Sequence, residues 1–481
     1  MIVIFEFSLN KESDKTLYLQ LYKKLKNEIK NNIPADTKLP PIRKLAEKVG
    51  VNPATVVKAY NLLAEDNLIY KKVGSGSFVA PTQKVIRPET GENMLEHGQI
   101  KLSENINLAS AAPSKELFPV EDFKYAINQV LERDQGEAFS YQKSQGFLPL
   151  RKSIQKYFMN NGINSSLKQI QVVSGAQQAI DILSKILLDF GEKIVVEDPT
   201  YFGALQAFNS RKADIITVKM QADGADLAEL ETHLKEKQIK FFFTMQNFQN
   251  PTGVNWSFEK QQQLLKLAEE YDFYIIEDDI LSDLYYNESR VKTLKESDEK
   301  DRVIYIKSFS KVFMPGLRLA FIILPDKLLP ELLEAKYATD ISSGGLTQRA
   351  FDFYLREGLL DKHIDLQRKL FRKKYNLMTA EIKSELPAEI KVVYESKGGL
   401  YLWLKLPANV DAKELYQAAV SIGLVFSPGY LFSLNNIFSN YIRLSFAAVN
   451  EDEIRKGIKL FKKIYYEYLG KEIDQEYSPL L

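Results

Sequence analysis

The chain has 481 residues, with 64 Lys or Arg, 63 Asp or Glu, three His and no Cys. At about 150 residues per domain this length suggests roughly three domains, and a content of 45% apolar and 26% charged residues excludes disordered and fibrous proteins. Without Cys there is no disulfide, no Cys-ligated zinc and no cysteine nucleophile, and the scattered His give no metal-binding spacing, so we expect no metal site.

The formal net charge of +1 hides a difference between the two ends of the chain. Residues 1–80 carry 13 basic and 8 acidic side chains, whereas residues 81–481 carry 51 basic and 55 acidic ones. An excess of positive charge on a small segment is typical of contact with nucleic-acid phosphates. The N-terminus does not resemble a secretory signal, and no apolar stretch is long enough to span a bilayer. We therefore expect a soluble, cytoplasmic protein with no membrane partner.

The first predicted elements are three helices. Apolar residues recur at three- and four-residue steps between residues 16 and 29, as they do on one face of a helix. A second, short helix is predicted after Pro40-Pro41 and ends at Gly50, a residue typical of helix C-termini. The third begins at Pro53, with Asn52 as its N-cap. Two helices joined by a Gly-containing turn are typical of a helix-turn-helix.

Two short β-prone runs follow in residues 68–79, around Gly74-Ser75-Gly76. They predict a hairpin, or wing. A phosphate-binding loop is the alternative, but no helix and no Lys-Ser/Thr pair follows these glycines. Polar side chains of the second and third helices and of the wing are placed to contact DNA around a helix in the major groove. They are Arg43, Lys44, Thr55, Lys58, Lys71 and Lys72.

Three stretches of this front segment carry a family resemblance: LYLQLYKKLKNEI, LPPIRKLAEKVGVNPATVVKAYNLLAEDNLI and GSGSFVA. They resemble the GntR-type winged helix across about residues 16–80. The resemblance implies binding to double-stranded DNA, with Thr55 and Lys58 best placed for base contacts. The chain departs from the family at Pro41-Ile42, where the family usually has small polar residues, so one phosphate contact is expected to be lost.

Domain limits are predicted at changes in the sequence pattern. A DNA-binding domain over residues 1–80 is followed by a linker over residues 81–106, which shows no periodicity. In the domain predicted over residues 107–481, strands alternate with helices, which indicates an α/β domain with a mostly parallel sheet. One long helix is predicted over about residues 328–385. The strands after it, which indicate a smaller α+β lobe, are predicted near 390–406, 424–427 and 441–446.

Polar motifs follow several predicted strands, where ligands collect in open α/β sheets. Ser174-Gly175-Ala176-Gln177-Gln178 opens a helix, whose backbone N–H groups can bind an anion. Glu277-Asp278-Asp279 ends an apolar strand, where carboxylates are costly unless a cation lies beside them. Lys311 follows another strand, with Arg318 seven residues later. An amine can bind an aldehyde cofactor, and Arg can clamp a phosphate. The other motifs of this kind are Asp198-Pro199-Thr200-Tyr201 and Asn250-Pro251-Thr252-Gly253.

Taken singly, the turn at Asn250 fits an ordinary β-turn and Lys311 an ordinary surface lysine. As an ordered set, the motifs strongly resemble the fold-type I pyridoxal-phosphate (PLP) enzymes of the aspartate aminotransferase superfamily over about residues 107–470. The resemblance implies that Lys311 holds PLP as the internal aldimine. Asp278 would pair with the protonated ring nitrogen, Tyr201 would stack on the ring, and Asn250 would bind the ring hydroxyl. The residues implied for the phosphate are Ser308, Arg318, Gly175, Ala176 and Gln177.

Two further motifs extend this resemblance. Tyr141, within FSYQKSQGFLPLR, resembles the tyrosine that reaches the phosphate of the neighbouring subunit, which implies a homodimer. Ile442-Arg443-Leu444-Ser445-Phe446 resembles the strand whose arginine binds the α-carboxylate of an amino acid, and Gly398-Gly399-Leu400-Tyr401-Leu402-Trp403 also fits the family. One departure is that most relatives have a Tyr two or three residues after the ring-nitrogen Asp, whereas this chain has Ile280 and Leu281. The aldimine pKa should change, and at most weak transaminase activity is expected.

A winged helix fused to an aminotransferase-like domain resembles the MocR subgroup of the GntR family along nearly the full chain. The implied function is a bacterial transcriptional regulator that binds DNA and senses an amine or amino acid effector through an aldimine at Lys311. Arg443 would hold the effector's carboxylate. A regulator that senses PLP itself fits the same residues. The alternative is a genuine PLP-dependent aminotransferase acting on an amino acid.

Overall fold

A computed structural model of the protein describes residues 16–31, 37–65, 68–72, 76–79, 105–287 and 290–470. The chain divides into two compact units, Met1–Gly91 and Glu92–Leu481. Most of the linker predicted over residues 81–106 lies outside the described residues, so the predicted domain limits stay predictions. Within the described ranges, no helix is both long and apolar enough to cross a membrane.

The front unit is a three-helix cluster followed by a hairpin. Its elements are α1 (Leu17–Asn31), α2 (Ile42–Val49), α3 (Pro53–Glu65), β1 (Ile69–Lys72) and β2 (Gly76–Val79). Fully buried side chains from all three helices form its core, because the apolar faces predicted from the sequence point inward. Among them are Leu21, Leu25, Leu45, Val56 and Leu63.

The turn between α2 and α3 has the predicted chemistry. Gly50 closes α2 in the left-handed conformation at φ 68°, which glycine adopts without steric cost. The side-chain oxygen of Asn52 accepts a hydrogen bond from the N–H of Ala54 at 2.8 Å. The buried Tyr60 hydroxyl donates to the carbonyl of Pro40 at 2.8 Å and so ties α3 to the segment before α2. These contacts fix the angle at which α3 leaves the turn.

The predicted wing is present as two antiparallel strands. β1 and β2 pair from Ile69 opposite Val79 to Lys72 opposite Gly76. The turn itself, residues 73–75, lies outside the described residues. A bridge between Lys38 and Phe78 joins this hairpin to the segment before α2, so the strands are held against the helices.

The second unit is built on a sheet of eight strands. The strands described in this unit are β3 (Ile106–Asn107), β4 (Ile170–Val173), β5 (Lys193–Asp198), β6 (Asp214–Gln221), β7 (Gly224–Ala225), β8 (Ile239–Thr244), β9 (Tyr274–Asp279), β10 (Val303–Ser308), β11 (Ala320–Ile323), β12 (Lys391–Val392), β13 (Tyr401–Lys405), β14 (Leu424–Val425), β15 (Ser427–Pro428) and β16 (Tyr441–Ser445). The order in the large sheet is β4-β11-β10-β9-β8-β5-β6-β7. Pairs from β10 to β6 are parallel, whereas β11 runs antiparallel to both neighbours. This is the mostly parallel sheet that the sequence predicts.

Both faces of the large sheet are covered. Alternate residues of one strand enter separate cores, as Phe242 of β8 and its neighbour Phe243 do. The covering helices include Val120–Asp134, Leu148–Asn160, Ala176–Leu187, Phe202–Ser210, Leu227–Glu236 and Phe258–Glu270. A sheet buried on both faces leaves only its strand ends accessible, and there the polar motifs lie.

The prediction of a single long helix over residues 328–385 is wrong. The chain forms three helices there, Leu329–Asp340, Gly345–Arg356 and Leu359–Glu385. The first ends at Ile341 (φ 55°), and Gly358 (φ 66°) separates the second from the third. Both residues have a positive φ, which a right-handed helix does not contain.

The smaller lobe contains a four-stranded antiparallel sheet in the order β12-β13-β16-β15. The strand predicted over residues 390–406 is in fact β12 and β13, with irregular chain between them. The helices described in this lobe are Ala412–Ser421 and Glu451–Tyr468. In the pairing of β13 with β16, Trp403 lies opposite Arg443 and Tyr401 lies opposite Ser445.

Candidate functional site

Lys311 lies three residues beyond β10 and is half-buried. Burial, together with the charges of Arg443 and Arg318, lowers the pKa of its amine from 10.5 to about 8, against the opposing charge of Asp278. A share of the amine is therefore neutral at pH 7 to 8. A neutral amine is the form that attacks an aldehyde.

Asp278 is the next-to-last residue of β9, the strand beside β10. Its side chain is 3% exposed, and its Oδ1 atom has no hydrogen-bond partner among the described residues. Burial and the neighbouring Asp279 raise the pKa of this carboxyl to about 7, while Lys307 and Lys311 oppose the rise. A buried carboxyl with a free oxygen is costly unless a cationic donor pairs with it. The protonated ring nitrogen of PLP is such a donor.

An anion cradle lies at the start of helix Ala176–Leu187. Gly175 precedes this helix with φ 96°, and a Cβ atom on it would lie 2.4 Å from Nη2 of Arg318. The same Nη2 donates to the carbonyl of Ser174 at 3.1 Å. Ser308 and Ser310 share a hydroxyl–hydroxyl hydrogen bond of 3.0 Å at the end of β10. Since the first N–H groups of a helix have no partner within it, the cradle suits a phosphate.

Tyr201 lies beside this cradle, at the start of helix Phe202–Ser210. Its hydroxyl donates to Oε1 of Gln177 at 3.2 Å, and the Gln177 amide donates to the carbonyl of Gly203 at 2.8 Å. A Cβ atom on Gly203 would lie 2.5 Å from the Tyr201 hydroxyl oxygen. Gly203 is thus a residue that the sequence prediction missed, and it leaves room for the Tyr201 ring.

Arg443 of the small lobe contacts Asn250 directly. Its Nη1 donates to Oδ1 of Asn250 at 2.7 Å, and its Nη2 donates to Oγ of Ser427 at 3.0 Å. The guanidinium carbon lies 4.7 Å from the ring centre of Tyr401 and 5.0 Å from that of Phe432. Because Oδ1 of Asn250 accepts from Arg443, its amide NH2 is left to donate to a ligand oxygen.

The two residues that stand where a tyrosine is usual after Asp278 pack into the apolar cores. Leu281 is fully buried in the apolar core, and Ile280 packs against the cores on both sides. The next hydroxyl, that of Ser282, donates to Asp279. These positions therefore supply no donor to the site.

Asp279 points to the opposite face of the sheet from Asp278, because adjacent strand residues alternate. It accepts hydrogen bonds from the Tyr305 hydroxyl at 2.6 Å and from Nζ of Lys307 at 3.1 Å. Lys307 also lies 2.8 Å from Asp283, which accepts from the Tyr157 hydroxyl at 2.6 Å. This buried network was not predicted from the sequence, although Lys307 on β10 is in register with Asp279 on β9.

Tyr141 is not part of this cluster in its own chain. Its side chain is 86% exposed, whereas Asp278, Asn250 and Arg443 are buried and Lys311 is half-buried. An exposed position is compatible with the predicted role toward a second subunit. That role stays a prediction.

In the front unit, Arg43 and Lys44 are exposed on α2, and Lys58 is exposed on α3. Nζ of Lys58 lies 5.5 Å from the ring centre of Tyr18. Thr55 is half-buried, and Lys71 and Lys72 belong to β1, with side chains outside the described residues. Val57, 38% exposed on α3 between Thr55 and Lys58, is one of the exposed neighbours of these two residues. It can make an apolar contact with a base.

Two family models match the chain. The model for aminotransferase class I and II covers residues 98–461, and the model for bacterial regulatory proteins of the gntR family covers residues 17–79. The chain belongs to the class I and II aminotransferase family. In front of its aminotransferase domain it carries a gntR domain, as the sequence predicts.

Relatives share this two-part organisation or its larger part. The HTH-type transcriptional regulator YdfD of Bacillus subtilis (strain 168) is 29% identical over 470 residues, which cover 93% of this chain and 96% of that protein. The "Probable rhizopine catabolism regulatory protein MocR" of Rhizobium meliloti is 26% identical over 474 residues, 95% of each chain. Among solved structures, the chain is similar to Pyrococcus horikoshii kynurenine aminotransferase, which was crystallised in complex with PMP. The two sequences are 32% identical, the TM-score is 0.75, and the match covers 79% of this chain and 95% of the aminotransferase. The predicted fold class and the resemblance to MocR regulators are confirmed.

PLP is the cofactor of class I and II aminotransferase domains, and the residues of this chain fit it. The free oxygen of Asp278 suits the ring nitrogen, and the cradle at Gly175 suits the phosphate. The lowered pKa of Lys311 suits attachment of the aldehyde. The individual residue roles remain predictions.

The cradle gives the first prediction. Gly175→Ala should displace Arg318, because the new Cβ atom would lie 2.4 Å from its guanidinium. Loss of one charge-assisted contact costs about 1.5–3 kcal/mol, so we expect the PLP dissociation constant to rise about tenfold or more in equilibrium dialysis. The matched control is Gly191→Ala, since Gly191 also has a positive φ (78°) but no atom within 4 Å of a Cβ. Equal affinities of the two variants would contradict the phosphate role of the cradle.

Proposed function

We propose that the protein is a PLP-binding transcriptional regulator of the MocR type. The front unit would bind DNA through α3 and the wing, and the second unit would carry PLP on Lys311 and respond to an amine or amino acid. One observation carries the proposal: a gntR domain shares a chain with a site that keeps Lys311, Asp278 and Arg443 but has Ile280 and Leu281 where most of the PLP enzymes that it resembles have a tyrosine. DNA as its partner makes the cytoplasm its expected location.

PLP, when bound, supplies an aldehyde that attaches amines covalently and reversibly. Lys311 is the protein's own amine for this attachment, and its lowered pKa keeps part of it neutral. An effector amine would compete with Lys311 for the same carbon. Arg443, held by Asn250 and Ser427, would bind the effector's carboxylate through its guanidinium edge. Its Nε has no partner among the described residues and can donate to that carboxylate.

Such competition regulates DNA binding only if the effector-bound and effector-free states favour different arrangements of the two units. In a homodimer, the exposed Tyr141 of one subunit would contact the PLP phosphate in the second subunit. Such a dimer would also bring two winged helices to paired half-sites on DNA. Paired binding also compensates for the modest positive charge of a single front domain.

A titration of operator DNA with the purified protein tests the proposal. The operator is first selected from random duplexes, and its dissociation constant is then measured without ligand, with PLP, and with PLP plus a panel of amino acids and amines. Dependence on an added amine supports the proposal. A response to PLP alone favours a cofactor sensor instead.

A genuine aminotransferase is the second candidate, favoured by the intact set of Lys311, Asp278 and Arg443 and by the likeness to an aminotransferase structure. Ile280 and Leu281 weigh against it, since neither offers a hydroxyl to the site. Sustained conversion of an amino acid with a keto acid, at many turnovers per site, would establish this function in place of the regulator.

The DNA-binding role of α2 gives a second prediction. Lys44→Ala removes an exposed positive charge predicted to contact phosphate. We expect weaker binding to specific and random duplexes alike, and a slope of log affinity against log salt that is smaller by about 1. Lys23→Ala is the matched control, because Lys23 is equally exposed on α1 of the same unit. If both variants lose the same affinity, the placement of α2 at the phosphates is wrong.

A further inference from the structure

Tyr401 carries a buried hydroxyl that nothing in the predicted site uses. It is the first residue of β13 and is 1% exposed. Its hydroxyl has no hydrogen-bond partner among the described residues. A buried, unpaired hydroxyl costs about 1–3 kcal/mol, so a tyrosine there calls for an explanation where Phe would fill the same space.

The surroundings of Tyr401 are those of the cofactor site. Its ring centre lies 4.7 Å from the guanidinium carbon of Arg443, and Arg443 in turn holds Asn250. Burial raises the pKa of the Tyr401 hydroxyl, Arg443 opposes the rise and Asp278 adds to it. Tyr401 in its turn helps to raise the pKa of Tyr201. The Tyr401 ring therefore packs against Arg443 and is close enough to Asp278 and Tyr201 for their charges to influence one another, and its hydroxyl stays protonated as a donor.

The predicted cofactor site lacks a second hydrogen-bond donor at the ring oxygen of PLP. With Ile280 and Leu281 after Asp278, the ring oxygen would be left to the amide of Asn250 alone. Asn250, Arg443 and Tyr401 form one contact cluster, so an oxygen bound by the Asn250 amide lies in the same cluster as the Tyr401 ring.

We propose that the Tyr401 hydroxyl donates a hydrogen bond to the ring oxygen of PLP beside Asn250, in place of the tyrosine that residues 280 and 281 lack. This inference rests on the proposed attachment of PLP at Lys311. A donor at that oxygen stabilises its negative charge and weakens its hold on the proton of the nitrogen that joins Lys311 to the cofactor. Tyr401 thereby sets the pKa of that nitrogen, and through it the ease with which an effector amine takes the place of Lys311.

The test is a pH titration of the visible absorption of the PLP-loaded full chain. Tyr401→Phe removes one oxygen atom and should raise the apparent pKa of the bound cofactor by about 1 unit, a tenfold change in its proton affinity. Tyr354→Phe is the matched control, since Tyr354 is also fully buried with an unpaired hydroxyl but packs against Phe313, at 4.8 Å between ring centres. It should leave the cofactor pKa unchanged.

A second variant uses the half-buried position of Ile280. Ile280→Tyr in the Tyr401→Phe background should return the cofactor pKa toward the wild-type value, because it restores a hydroxyl after Asp278. An unchanged cofactor pKa in Tyr401→Phe overturns the inference. If Tyr401→Phe instead only loses affinity for amino acids, and keeps its affinity for amines that have no carboxylate, the inference is overturned as well. If the wild-type chain shows no visible PLP band, the proposed function fails instead, so the two failures are distinct.

Discussion

Lys311→Ala should abolish the visible absorption of the PLP-loaded protein, because it removes the amine that attaches the aldehyde. The remaining groups hold PLP by hydrogen bonds and charge alone, so gel filtration should separate most of the cofactor from the variant. Absorption spectra before and after filtration measure this loss. The operator affinity of the variant should no longer respond to an added amine through competition with Lys311.

Two comparisons make this result specific. Lys311→Arg keeps the positive charge, yet it should also lose the band, because a guanidinium stays protonated at all accessible pH values. In the wild-type chain, uptake of PLP should become faster as the pH rises through about 8, where the amine loses its proton. A coloured Lys311→Ala variant would show that another lysine holds the cofactor.

The placement of Asp278 and Lys311 could be predicted from the sequence because Asp278 lies at the end of one strand of a parallel sheet and Lys311 just after another. β9 and β10 are neighbours, so their carboxyl ends lie at one edge, and motifs after them meet there. Ser174-Gly175 follows β4 and Arg318 precedes β11, and because these two strands are antiparallel neighbours, with Ala320 opposite Val173, both segments lie at the same edge of the sheet. Strand-end position is a local property, and a sequence displays it.

Contacts across lobes could not be predicted in this way. Arg443 and Asn250 are 193 residues apart, and their hydrogen bond depends on how the small lobe packs on the large sheet. The hydroxyl of Tyr401 was visible in the motif, yet nothing in the sequence shows that it is buried without a partner. Such facts arise from tertiary packing alone.

The errors in secondary structure have different causes. Helix Phe202–Ser210 was not predicted from the sequence. It is buried over most of its surface, so it lacks the contrast between apolar and polar faces that marks a helix in a sequence. Helix Val120–Asp134 does show that contrast, with Phe123, Ala126 and Val130 buried, and was overlooked. The false long helix joined three helical patterns across Ile341 and Gly358. A positive φ at a β-branched residue such as Ile341 has no local sequence signal.

The buried network behind Asp278 gives the second large prediction. Lys307 is 1% exposed and lies between the carboxylates of Asp279 and Asp283, at 3.1 and 2.8 Å. Burial alone would lower the pKa of Lys307, yet the two carboxylates raise it above the ordinary value. For Asp279 the effect of burial is outweighed by Lys307 and Ser282, and its pKa is lowered.

Lys307→Met should destabilise the protein by about 3–5 kcal/mol, the usual cost of leaving buried charges without their partner. Without Lys307 the pKa of Asp279 in the folded chain should rise above its value in the unfolded chain. The variant should then lose stability as the pH increases from the unfolded to the folded pKa of Asp279, and should regain part of that stability in acid. Urea denaturation at pH 5 and pH 8 measures both effects. Lys185→Ala is the control, because its pair with Asp181 is partly exposed and should contribute at most about 1 kcal/mol.

A loss of PLP affinity in the Lys307 variant would distinguish this network from an ordinary core contact, which affects stability alone. Lys307 opposes the raised pKa of Asp278, so its loss should keep Asp278 protonated at higher pH and weaken the pairing with the ring nitrogen. Lys307→Met combined with Asp279→Asn and Asp283→Asn removes the charges together and should recover much of the stability. Because Asp279 raises the pKa of Asp278 more than Lys307 lowers it, the triple variant should recover its affinity for PLP as well. Stability recovered without PLP affinity would show that the network does not act on the site through the pKa of Asp278.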